Sequence, residues 1–297
     1  NSNFKLAVYN AWVEAGGKHV SERPYEHLYE SLSYHLPLPT LFQSKKQARL
    51  RFVEAANLPF DTFPDYLCYE IIPMFWDCWP RFFDKVAAWL KRHQVRTAFF
   101  TSSQTAERMR SLCPNVNINH LPEAIETELY HAGKPLSERS IDYLEFGRCS
   151  RILDSTQFDK SIIVLSSRNE RTGLKTRAQL ADALADSKIT LALTRLDNQP
   201  ELAEGVDTLT QRYWECMLSG VVILGRAPQE LIDIIGYDPV VHLDKDNAND
   251  QILGILEHIE DYQELVDRNR QRALEHGDWK VRIEWMMGVM KKQGYEV

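Results

Sequence analysis

The chain has 297 residues, 44% apolar and 26% charged, with a net charge of −7. That is the composition of an ordinary soluble globular protein, long enough for one large or two medium domains. The charge is uneven, net +1 over residues 1–139 and net −8 over the remainder, so the second half is no polyanion binder and no basic face marks a nucleic-acid reader.

Residues 1–60 carry the weakest pattern. FKLAVYNAWVEAGGKH fits either a strand or a short helix ending at Gly16-Gly17, and SERPYEHLYESLSYHL predicts a helix. HLPLPTLF, broken by prolines, predicts irregular chain. From there the alternation is clear. YLCYEII (66–72) predicts a buried strand and RFFDKVAAWLKRH an amphipathic helix. TAFFTSS predicts a strand running into a hydroxyl-rich turn, and SQTAERMRSLC a helix capped by Ser102 or Ser103. NINHLPEAIE predicts a short strand with a proline turn. A Gly-, Pro- and charge-rich stretch near residues 130–140 reads as a linker.

The alternation then restarts: strands at IDYLEFG, KSIIVLSS, KITLALT, VVILG and PVVHL, with helices at TRAQLADALADS, TLTQRYWECMLSG and PQELIDIIG. Two long helical stretches close the chain, about 247–276 with a break and 279–292. This predicts α/β architecture with parallel sheets: a domain over 1–139 and a Rossmann-like domain over 140–297. Ligands of such sheets bind beyond the carboxyl ends of the strands. A nucleotide is the expected ligand, yet no strand is followed by G-x-G-x-x-G or by a P-loop, which argues against NAD(P) enzymes and P-loop NTPases.

The five cysteines, Cys68, Cys78, Cys113, Cys149 and Cys216, are widely spaced without a CxxC pair. They argue against a disulfide framework or a zinc site and for a reducing, cytoplasmic compartment. Nine histidines show no HExxH, so no metal site is expected. No apolar run reaches membrane-spanning length and no signal peptide is visible. Peripheral contact of the near-neutral first half with the inner membrane face stays open.

The stretch Asp207–Leu231, DTLTQRYWECMLSGVVILGRAPQEL, carries the chemistry. If Thr208 or Thr210 caps its helix, the first-turn amides around Thr210 and Gln211 are open donors at the positive end of the helix dipole, suited to a diphosphate. Glu215, an acid in an otherwise apolar pattern, is placed to accept from a vicinal diol such as ribose. Asp207 lies where a sugar would follow. Arg212, one turn before Glu215, either pairs with it or reaches the phosphates. Arg148 and Arg195 each follow a predicted strand, where an arginine neutralises a leaving diphosphate without a metal. Arg168, Arg171 and Lys175 read as a solvated loop. Glu70, at the end of its predicted strand, is a candidate to orient an acceptor hydroxyl.

The stretch resembles the donor-binding segment of GT-B-fold glycosyltransferases, especially the retaining family four. Their acid, seven residues, Glu, helix and strand appear here as Asp207-TLTQRYW-Glu215-CMLSG-VVILG, with Asp in place of the usual first Glu and TLT in place of a Gly-rich segment. GRAPQEL resembles their glycine-x-x-proline-glutamate turn with one residue inserted, which puts Glu230 in question as a donor contact. HLPEAIE resembles their interdomain segment, YLEFGR their first donor-domain strand with its arginine, and WKVRIEWMMGVMKK their returning last helix. The resemblance implies two Rossmann-like domains facing a cleft, the first reduced. It implies transfer of a sugar from a nucleotide-diphosphate donor to a hydroxyl of a glycan, lipid-linked or other acceptor, with retention and no cofactor, in a role such as bacterial surface glycan synthesis. Two other classes stay open: a non-catalytic nucleotide-sugar-binding module of this fold, and a GT-B nucleotide-sugar epimerase or hydrolase.

Overall fold

The computed structural model describes residues 3–18, 48–62, 65–67, 69–147, 153, 155–167 and 174–296. The chain divides into two compact units. The first comprises Asn1–Pro122, Glu201–Thr208 and Arg282–Val297; the second comprises Glu123–Pro200 and Leu209–Val281.

In the first unit, helix α1 (Asn3–Glu14) precedes four parallel strands in the order β1-β2-β3-β4: Ala48–Glu54, Glu70–Trp76, Thr97–Phe100 and Asn117–His120. The ambiguous N-terminal run is therefore helix. β1 (ARLRFVE) is a strand that the sequence reading did not identify. The second strand runs over EIIPMFW rather than YLCYEII, passing through Pro73. A proline contributes no N–H to a ladder, and the pairing of β2 with β3 covers Met74 and Phe75, beyond Pro73. Helices α2 (Phe83–Arg92) and α3 (Ser103–Leu112) cross over between strands. The Ser102 hydroxyl caps α3 by accepting from the Thr105 amide. Phe75, Phe100, Leu90, Val86 and Met109 fill the core.

The second unit holds β5 (Ile141–Glu145), β6 (Val164–Ser166), β7 (Ser187–Ala192), β8 (Val222–Gly225) and β9 (Val241–His242), all parallel, in the order β6-β5-β7-β8-β9. Successive side chains of a strand face opposite sides. Tyr143, Leu191, Val222 and Leu224 accordingly enter one core, and Leu144, Ala192 and Ile223 the other. Helices α4 (Arg177–Ala185), α5 (Gln211–Leu218) and α6 (Gln229–Ile235) supply the second of these cores, and α7 (Ala248–Glu257) the first. Helix α8 (Gln263–His276) gives Val266 to one and Ala273 to the other.

α5 ends in a Schellman turn. Gly220 takes φ +62°, its amide bonds Met217, and the Val221 amide bonds Cys216. This turn delivers the chain straight into β8. The last helix, α9 (Trp279–Lys292), begins as the second unit ends; the first unit resumes at Arg282.

Candidate functional site

The order β6-β5-β7-β8-β9 reverses direction between β5 and β7. Loops at such a switch point diverge and leave a crevice at the carboxyl ends of the strands. The loop after β5 is Phe146-Gly147, with Gly147 at φ +68°, a conformation that favours glycine. A Cβ at Gly147 would fall 1.8 Å from Arg212 Nη2, so the absent side chain is the space that the guanidinium occupies. The same guanidinium lies 5.0 Å from the centroid of Phe146. Arg212 is thus turned toward the loop after β5, and the carboxylate of Glu215 is bonded elsewhere. Arg195 opens the turn Arg195–Asn198 after β7. Arg148 lies outside the described residues.

α5 is positioned by burial. Tyr213, Trp214, Cys216, Met217 and Leu218 are all buried, and large apolar side chains of this kind contribute about 1.5–3 kcal/mol each. Thr210 is its N-cap, though the hydroxyl makes no cap bond. The Tyr213 amide bonds the Thr210 carbonyl, and the Leu209 amide donates to buried Glu230 at 2.7 Å. Glu230 therefore anchors the chain entering α5. Among the described residues the amides of Thr210 and Gln211 have no partner. The Gln211 side chain does not join them: its Nε2 donates to Ala124 O, beside the Trp214 Nε1 bond to Glu123 O.

Glu215 is half-buried, and its Oε1 accepts from the Tyr130 hydroxyl at 2.7 Å. Tyr130 is 2% exposed. Burial, then the charge of Glu215, pushes the phenol's pKa up, while Arg177 beside it acts in the opposite sense. Arg177 also donates to Glu126 Oε2 at 3.2 Å. This arrangement keeps the phenol protonated as a donor and Glu215 as an acceptor. Tyr130 is a member of the site that sequence reading missed, since it lies 85 residues from Glu215 in the predicted linker.

Arg226, directly after β8, is a second addition. Its Nε and Nη2 bind Asp197 at 2.9 Å, and Nη2 reaches the Thr194 hydroxyl at 2.9 Å. Asp197 also accepts from the Thr194 amide and hydroxyl. Although burial opposes it, the bonds from Arg226 and Thr194 hold the Asp197 carboxyl below its usual range. The ends of β7 and β8 are tied together at this point.

Asp207 and Thr208 belong to the first unit. Within it the Asp207 amide donates to Gln104 Oε1 at 2.9 Å, and Glu204 accepts from the Arg81 amide and guanidinium. Ser102 and Ser103 are accounted for as cap and first residue of α3. Glu70 requires a correction of place. It is the first residue of β2, at the amino end of the sheet, away from the carboxyl edge where ligands of parallel sheets bind. Its carboxylate accepts from Arg96 Nε and Nη2 at 2.7 and 2.8 Å and from the Tyr295 hydroxyl at 2.7 Å. Arg96 also covers the Tyr295 ring.

Lys175, just before α4, gives its amide to Gln179, whereas Arg168 and Arg171 lie outside the described residues. Among the described residues no three His, Cys, Asp or Glu gather as a metal site, and no helix is long and apolar enough to cross a membrane.

Residues 151–288 match the family described as glycosyl transferase-like. No curated protein sequence matches the chain. Among solved structures, sucrose-phosphate synthase from Thermosynechococcus elongatus aligns with TM-score 0.60 and 10% identity, over 91% of this chain and 77% of that one. A glycosyltransferase from Rickettsia africae aligns with TM-score 0.50 and 9% identity, over 93% and 83%. TarM aligns with TM-score 0.53 and 9% identity, over 80% of this chain and 54% of its own. At such identities the likeness is one of fold, and the fold is of the GT-B type.

Proposed function

We propose, from the premise that the chain is a glycosyltransferase of the GT-B type, that it moves a sugar from a nucleoside diphosphate donor to an acceptor hydroxyl, with retention and without a required metal ion. The observation that carries this reading is the pairing at the switch point: the Arg212 guanidinium is lodged over Gly147, and Glu215 lies one turn further along the same helix. A diphosphate beside Gly147 would meet Arg212 and the open amides of Thr210 and Gln211. The nucleoside's diol would fall to Glu215.

The roles follow from charge. As the bond from the anomeric carbon to the phosphate oxygen breaks, negative charge grows on the diphosphate. Arg212, the α5 amides and Arg195 are donors suited to that charge, and the resemblance adds Arg148. The resemblance assigns the sugar hydroxyls to Asp207. The acceptor oxygen bonds the anomeric carbon on the face that the phosphate leaves, and its proton passes to the departing phosphate oxygen. The bonds that Glu70 already makes argue for a structural role, so no chemical role is assigned to it. A glycan or lipid-linked acceptor in bacterial surface glycan synthesis, made at the cytoplasmic face, fits the family's usual work.

The test is a thermal-shift screen against nucleoside diphosphates and nucleotide sugars, with Mg²⁺ and with EDTA. A ligand that binds only the native state raises the melting temperature by mass action. Stabilisation by one nucleotide family, equal in EDTA and lost in Glu215→Ala, supports the reading. A response that appears only with Mg²⁺ overturns metal independence, and no response to any nucleotide overturns the donor site. Binding without turnover against any acceptor would point to the non-catalytic module.

A further inference from the structure

The carboxylate of Glu215 is not free to turn. Oε1 is held by the Tyr130 hydroxyl at 2.7 Å. That phenol is fixed by burial, and Arg177, which donates to Glu126 Oε2 at 3.2 Å, also acts on it. Among the described residues Oε2 accepts no hydrogen bond. A carboxylate offers about four lone-pair positions, so a partly buried one with a single neutral donor has capacity left. Groups of this kind are rarely left short of partners. The pinned oxygen fixes the direction in which Oε2 points.

We propose that Tyr130 is a positioning residue for the donor. It locks Glu215 so that Oε2 meets both hydroxyls of a ribose diol, and thereby selects ribonucleoside over 2′-deoxyribonucleoside donors. The inference rests on the donor reading given above and adds a positioning residue to it. Without the phenol, Glu215 samples other rotamers and one-hydroxyl ligands lose less by comparison. A residue that only held the fold would weaken both ligand types alike, so the ratio of their affinities isolates the positioning role.

The probes are UDP, GDP, ADP and CDP with their 2′-deoxy counterparts, titrated calorimetrically into the full chain. Wild type is expected to prefer the ribo form of its nucleotide by about tenfold, the size of one hydrogen bond to a charged group. Tyr130→Phe should weaken the ribo ligand several-fold, leave the 2′-deoxy ligand nearly unchanged, and so collapse the ratio toward one. Glu215→Gln should lower the same ratio. Should Tyr130→Phe not fold, Arg177→Gln removes the arginine that acts on the phenol and should lower the ratio to a smaller degree. A ratio in Tyr130→Phe, or in its substitute, that stays at the wild-type value overturns the role of Tyr130 and leaves the donor site standing. If wild type binds a diphosphate without distinguishing ribo from deoxy, the selection falls while nucleotide binding survives. If it binds none of the eight, the donor reading itself falls.

Discussion

Glu70 and Glu215 invite comparison because each accepts a tyrosine hydroxyl at 2.7 Å, from Tyr295 and Tyr130 respectively. The likeness ends there. Glu70 also takes two hydrogen bonds from Arg96 and lies at the amino end of its sheet. Glu215 has Tyr130 alone among the described residues, on a helix whose first turn lies at the carboxyl edge of the other sheet. A carboxylate saturated by its own chain is a structural tie, whereas one left with an open oxygen is a place for a ligand. Glu70 is buried and Glu215 half-buried, and the number of donors around each sets them further apart.

The comparison breaks most visibly if Glu70→Ala leaves stability untouched. Removing a buried acceptor from charge-assisted bonds should cost about 2–3 kcal/mol, with Arg96 partly exposed and therefore compensated by water. A denaturant melt reads this, and diphosphate affinity in the folded variant should stay within about twofold. Glu215→Ala should do the reverse: ligand affinity falls about tenfold or more, with less effect on the melt.

A finer test uses Gly147. Gly147→Ala places a side chain at φ +68°, costing about 1 kcal/mol, and pushes the Arg212 guanidinium from its niche. Diphosphate affinity should fall several-fold in a titration, more than the small stability loss explains.

The smallest expected effect is on pH. His93 lies against the rings of Tyr66 and Trp89, and its Nδ1 is buried without a partner among the described residues. Burial, then Arg92, lowers its pKa to about 4. In the unfolded chain it titrates near 6.5. Between those values the unfolded state binds more protons, so stability rises with pH. The contribution is complete above about pH 6.5 and declines as pH falls toward 4. After solvent screening it amounts to about 1 kcal/mol. His93→Leu should flatten the melting temperature over that window.

Much of the second unit was legible because its central strands are rich in apolar residues. VVIL is a continuous apolar run between Gly220 and Gly225, and IDYLE and SKITLA each carry three apolar residues beside turn-forming neighbours. The first unit was harder. β1 alternates arginines with Leu50 and Phe52 as an edge strand does, and so lacked a continuous run. The strand read over YLCYEII begins four residues further on, at Glu70, and continues through Pro73, so Glu70 stands at its start and not at its end. Glu215 stood out as an acid in an apolar helix. Tyr130 left no local trace, because its meaning arises only when the fold brings it beside Glu215.

The most direct measurement is a calorimetric titration of wild type and Glu215→Ala with the best-binding nucleoside diphosphate in EDTA. The account predicts metal-independent binding by wild type and a loss of about tenfold or more in the variant, with the fold intact. Equal binding by both proteins would contradict it and place the donor's nucleoside away from α5.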